Sequence, residues 1–87
     1  MRSIDRLFAM LERFLAGEYD ALKFSHDAPD FLAEHYDEIQ AESNKACLYL
    51  NDELPDACDI YERGDNPNEL MKKIEKIYKT AKRKLER

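Results

Sequence analysis

The sequence predicts an all-α fold: a small antiparallel four-helix bundle with an acidic loop between helices 3 and 4. Three observations carry that expectation. Two glycines, three prolines and few β-branched residues in 87 positions favour helix over strand. Large apolar residues recur at three- and four-residue steps rather than alternating. Helix start and stop residues follow one another closely, as neighbouring antiparallel helices require.

Helix 1 is expected over 4–16, where Ile4, Leu7, Phe8, Leu11, Phe14 and Leu15 make one apolar face. Ser3 is placed to cap it, Asp5 to complement the positive end of its dipole, and Gly17 to close it in the left-handed conformation. Asp20 caps helix 2, expected over 21–36 with Leu22, Phe24, Phe31, Leu32, His35 and Tyr36 inward and a break or kink near Asp27–Pro29. Asp37 and Gln40 resemble a capping box that opens helix 3 after a tight corner, although helices 2 and 3 could also run together. Ile39, Ser43, Ala46, Cys47 and Leu50 carry helix 3 inward, and Pro55 ends it near Asp52–Glu53. The acidic loop Pro55 to Asn66 follows. Asn66-Pro67-Asn68-Glu69 then opens helix 4 with an N-cap, a proline at the first helical position and a glutamate at the third. Helix 4 is expected over 67–85, with Leu70, Ile74, Ile77, Tyr78, Ala81 and Leu85 as its core face.

At 10.3 kDa the chain forms a single domain, 1–87. A chain of this size buries only about 60% of the surface it exposes when unfolded, which excludes a Rossmann half, a barrel or a deep multi-layered pocket. No stretch approaches the roughly 20 apolar residues of a membrane span. The first five residues contain an acid and no apolar signal core, and Cys47 and Cys58 form neither a CxxC pair nor a disulfide framework. A reduced, cytoplasmic setting is the expectation.

The charges are segregated along the chain. Residues 18–66 hold 14 acids and three bases, a net of −11, whereas 67–87 hold three acids and eight bases, a net of +5. The overall charge of −5 argues against nucleic acid as a direct partner. Lysines near a helix C-terminus complement its dipole, so part of the basic tail has a structural use. The acidic middle presents a negative field that would attract a basic partner and speed its association.

Catalytic patterns are thin. His26 and His35 lie nine residues apart and Cys47 and Cys58 eleven, so no zinc spacing is present. Cys47 belongs to an apolar face, and a Cys58–His35 nucleophile pair would need an unproven spatial meeting. The sharper enzymatic alternative is a small metal-dependent nucleotide pyrophosphatase. Glu38 and Glu42 stand four apart, Glu53 and Asp56 read as ExxD, and MazG-like pyrophosphatases hold magnesium with a related EExxE plus ExxD set. Ala41 replaces the last acid of the first motif, and Pro55 falls inside the second. The expectation is therefore not an enzyme, with no catalytic residue, metal or cofactor.

Phe14-Leu15-Ala16-Gly17-Glu18-Tyr19-Asp20-Ala21-Leu22-Lys23-Phe24-Ser25 resembles the end of the first helix and the start of the second in colicin D-type immunity proteins. Leu50-Asn51-Asp52-Glu53-Leu54-Pro55-Asp56-Ala57-Cys58-Asp59-Ile60-Tyr61-Glu62 is similar to the acidic turn after their third helix, and Leu70 to Leu85 to their closing helix. The resemblance covers 4–25 and 47–85. The middle is shorter here, carries Pro29, and has Asn51, Leu54 and Cys58 where acids often stand. DNase-colicin immunity proteins share the size and acidity, but Tyr61 alone does not reproduce their paired tyrosines.

The resemblance implies an antidote that covers the basic cleft of a cognate nuclease toxin, in that family a tRNA-cleaving one. Its carboxylates would stand where substrate phosphates bind. The toxin-binding residues are then Asp52, Glu53, Asp56, Asp59, Tyr61 and Glu62, with Glu38 and Glu42 beside them, and Tyr61 or Tyr49 as a buried anchor. The expected complex pairs one monomer with the basic C-terminal domain of the toxin. A generic acidic helical adaptor is the remaining alternative.

Overall fold

In the computed structural model, which describes residues 2–85, the chain is all-helical. Among the described residues five helices follow one another: α1 (Ser3–Leu15), α2 (Ala21–Glu34), α3 (Tyr36–Glu42), α4 (Asn44–Asp59) and α5 (Pro67–Leu85). Nineteen apolar side chains, Phe14, Phe24, Leu50 and Ile74 among them, make one buried cluster to which every helix contributes.

The two amphipathic helices have the predicted phase. Ile4, Leu7, Phe8, Leu11 and Phe14 of α1 are buried, as are Leu70, Ile74, Ile77 and Ala81 of α5. Leu15, Tyr78 and Leu85 are half-buried at the edges of these faces. The α1–α2 corner also follows the sequence. Gly17 has φ of +81°, Glu18 N–H donates to the Arg13 carbonyl at 2.9 Å, and Gly17 N–H donates to Phe14 at 3.0 Å. This pairing is a Schellman close. Asp20 then accepts from Lys23 N–H at 3.0 Å and opens α2, and the Phe14 and Phe24 rings stack at 4.3 Å across the corner. Tyr19 donates its hydroxyl to Asp27 at 2.6 Å, and Tyr78 of α5 donates to Glu12 of α1 at 2.6 Å.

The start of α1 differs from expectation. Ser3 lies inside the helix, buried, and Arg2 is the N-cap residue without a side-chain capping bond. The missing acceptor comes from α3. Glu42 accepts from Ile4 N–H at 2.8 Å and from Ser3 N–H at 3.3 Å.

The middle of the chain makes three helices where two are predicted. α2 ends at Glu34, and the single residue His35 joins it to α3 with φ −112° and ψ 20°. The proposed cap at Asp37 is therefore already inside α3. Ser43 is extended, with φ −161° and ψ 100°, and it separates α3 from α4. Its N–H donates to the Ile39 carbonyl at 2.9 Å, while its hydroxyl accepts from Ala46 N–H at 3.4 Å. One residue thus closes one helix and caps the next.

Neither interior proline ends its helix. α2 runs unbroken through Pro29, and α4 continues through Pro55 to Asp59. A proline inside a helix costs roughly 3 kcal/mol in isolation. Here Ala28 and Leu32 on either side of Pro29, and Leu54, Ala57 and Cys58 around Pro55, are buried. Packing on both flanks holds the helical path against the local preference. The predicted acidic loop from Pro55 to Asn66 shortens accordingly to Ile60–Asn66, and Asp56 and Asp59 belong to a helix. Within this loop Glu62 to Asp65 form a turn closed at 2.9 Å, with φ of +95° at its third residue, Gly64, a conformation that glycine adopts without steric cost. Asn66 accepts from Asn68 N–H at 3.0 Å and opens α5.

Candidate functional site

The outward side of α4 follows from its own core phase. Ala46, Cys47, Leu50, Leu54, Ala57 and Cys58 are buried, which turns Leu48, Asp52, Asp56 and Asp59 to the opposite side at steps of four, four and three residues. All four are exposed, and they span about 16 Å of helix. Glu53 stands at the edge of this face, exposed, beside half-buried Tyr49. Leu48 at 47% and Ile60 at 60% are the large hydrophobic residues left exposed among the described residues, one toward each end of the acidic row.

Three features describe these acids. None of Asp52, Glu53, Asp56 or Asp59 takes part in the ion pairs found among the described residues, which join Arg2 to Asp5, His35 to Glu38 and Glu75 to Lys79. Asp56 and Asp59 lie at the C-terminal end of α4, where no basic residue stands in the last turn. A carboxylate there opposes the helix dipole by a few tenths of a kcal/mol. Moreover, Leu48 and Ile60 leave exposed aliphatic surface at the two ends of the row.

The remaining sequence-predicted residues separate from this face. Tyr61 is half-buried, donates its hydroxyl to the Asp65 carbonyl at 3.3 Å and helps to hold the loop. Glu62 is exposed, and its N–H donates to the Asp65 carboxylate at 2.8 Å. Tyr49 lies under the Lys84 ammonium, 5.5 Å from its ring centroid, a cation–π contact. Glu38 is exposed but accepts from the Ser3 hydroxyl and meets His35 Nδ1 at 3.1 Å. These two contacts, the Ser3 bond first, hold its carboxyl below the usual range. Glu42 caps α1 as described.

The carboxylates weighed as a magnesium set are therefore distributed over two sites. Glu38 and Glu42 bind the start of α1. Glu53 and Asp56 do share an unbroken helix, contrary to the expectation from Pro55, and border a depression between α4 and α5. No group of three or more His, Cys, Asp or Glu side chains among the described residues is arranged to hold a metal ion. Both cysteines are free and buried, and burial, reinforced by Asp59, pushes the Cys58 thiol up to about 12, away from nucleophilic use. No described helix is long and apolar enough to cross a membrane.

Leu48 and Ile60 are the residues that sequence reasoning passed over. Leu48 falls off the Cys47–Leu50–Leu54 face, and a helical projection would have flagged it as an outward aliphatic residue.

No family model, curated protein or solved structure matches this chain. The resemblance to colicin D-type immunity proteins therefore rests on its two sequence segments alone.

Proposed function

We propose that this protein is an immunity protein: a non-enzymatic inhibitor that binds the basic C-terminal domain of a cognate nuclease toxin. It acts in the cytoplasm, without a cofactor, as one copy per toxin. The observation that supports binding is the outer face of α4, whose Asp52, Asp56 and Asp59 are exposed and outside the ion pairs of the described residues, beside exposed Leu48 and Ile60. Carboxylates on that face meet the lysines and arginines that otherwise hold substrate phosphates, and the aliphatic residues supply desolvated contact area. Glu53 and Glu62 extend the acidic surface, and Tyr61 shapes its end. That the partner is a nuclease, and a tRNA-cleaving one, rests on the resemblance of 4–25 and 47–85 to the colicin D-type family.

The decisive experiment uses the nuclease domain of a candidate cognate toxin, to be sought in the neighbouring reading frame. Cleavage of tRNA, titrated with the protein in the presence of chelator, should stop at one equivalent. Asp52→Asn/Asp56→Asn/Asp59→Asn should weaken binding at least about tenfold and flatten the salt dependence of the on-rate. Full inhibition by the triple variant would move the surface elsewhere. Magnesium-dependent turnover of a nucleotide by the protein alone would replace the reading with the hydrolase.

A further inference from the structure

The inner edge of the α4 face opens into a groove against α5. Two depressions of about 290 and 320 Å³ adjoin there and share Ala57, Ile60 and Lys73 in their linings. Around the smaller depression Glu53 and Asp56 form the wall on α4 and Lys73 and Lys76 the wall on α5; Asp65, Asn66 and Glu69 line the other depression. Ile60 stands between them at the mouth, 60% exposed. Although the walls carry opposite charges, no ion pair among the described residues crosses the groove. At the smaller depression the groove therefore sets Ala57, Ile60 and Ile77 between an anionic and a cationic rim.

We propose that this groove receives one apolar side chain from the binding segment of the partner. That segment carries a cation toward Glu53 and Asp56 and an anion toward Lys73 and Lys76. The proposal rests on the reading of the chain as a toxin-binding protein and deepens it by fixing where the anchor enters and in which orientation. Each depression is at or near the lower bound of roughly 300–1,000 Å³ for small-molecule pockets, which suits a side chain better than a cofactor. Rim charges of both signs fix the register and direction of a docked segment, which a uniformly acidic surface cannot do. The partner is thus basic overall but has an acid next to its apolar anchor.

The test uses the same nuclease domain and calorimetry, with circular dichroism of every variant as a folding control. Ile60→Ala should lower affinity at least tenfold, about 1.4 kcal/mol, and leave the thermal midpoint in place. Lys73→Glu/Lys76→Glu is the sharper variant, because it makes the chain still more acidic. A partner that recognises only carboxylates would bind this variant more tightly; the groove proposal requires a loss of at least tenfold. Lys73→Gln/Lys76→Gln keeps the question open to measurement if the reversal disturbs folding, and it should weaken binding in the same direction. Lys79→Gln, whose lysine pairs with Glu75, should bind as the wild type does. Unchanged or tighter binding by the lysine-wall variants, or unchanged binding by Ile60→Ala, overturns the groove while leaving the toxin-binding reading intact. Failure of the wild type itself to bind the nuclease domain overturns both.

Discussion

The acids of α3 and those of α4 look alike in sequence and do opposite things. Glu38 and Glu42 reach back to α1, one accepting from the Ser3 hydroxyl and the other from two backbone N–H groups that would otherwise lack a partner. Asp52, Asp56 and Asp59 reach outward and take part in none of the described ion pairs. The first group stabilises a helix start; the second adds mutual repulsion and, at two positions, opposes a dipole. An acidic stretch is therefore not one feature. What each carboxylate does depends on which backbone donors the fold brings to it.

The largest expected effect breaks the comparison at its base, by loosening α3. Ile39 is its one buried residue and is fully enclosed. Ile39→Ala should lower stability by about 2–5 kcal/mol in denaturant titration. Since α3 positions Glu38 and Glu42, this variant should also speed hydrogen exchange at the first amides of α1 while leaving the α4 amides less affected. Uniform loss of protection would mean that α3 is not a separable support for α1.

How far the sequence could reveal this contrast depends on distance along the chain. The phases of α1 and α5, the Gly17 close, the Asp20 cap and the Asn66-Pro67 start are all local signals, and each was legible. The α2–α3 and α3–α4 joints are single residues, His35 and Ser43, with negative φ values that need no glycine. The first is expected close by, at a corner before Asp37; the second falls inside a predicted helix, although serine is an ordinary N-cap residue. Pro29 and Pro55 mislead in the other direction, because their local meaning is a break and only the burial of their neighbours reverses it. Among the candidate site residues, the presence of acids was readable and their partners were not. Glu42 meets amides 38 and 39 residues away, a pairing visible only after folding.

A smaller effect isolates the cap itself. Glu42→Ala removes the acceptor for Ile4 and Ser3 N–H and should cost about 0.5–2 kcal/mol, the range for loss of an N-cap. Glu42→Gln retains an amide oxygen and should recover part of that loss. Equal destabilisation by both variants would show that the charge at the dipole, rather than the hydrogen bonds, dominates.

Glu38 adds a dependence on pH whose sign follows from its depressed carboxyl. The folded chain binds this proton less readily than the unfolded chain, so the contribution is complete above the ordinary value of 4.5 and is lost as pH falls through the folded value. The difference in thermal midpoint between wild type and Glu38→Gln should accordingly shrink on acidification from about pH 6 to about pH 3. A constant difference over that range would assign the effect of the substitution to packing instead of charge.

The smallest expected change in stability is the one that separates the two acidic groups most cleanly. Asp52→Asn/Asp56→Asn/Asp59→Asn removes three charges that sit close together on one exposed side of α4 and join no ion pair among the described residues. Surface substitutions of this kind stay within about ±0.5 kcal/mol, and the sign here should be stabilising. Two causes act in that direction: relief of repulsion between neighbours on the helix, and removal of negative charge from the C-terminal end of its dipole. The gain should be largest at low ionic strength and fade as salt screens both terms. Thermal unfolding in low and high salt measures it directly. A marked loss of stability would mean that these carboxylates serve the fold as Glu42 does. A gain in stability together with a loss of toxin affinity would mean that α4 keeps charges that the fold does not need, which is the mark of a surface shaped by a partner.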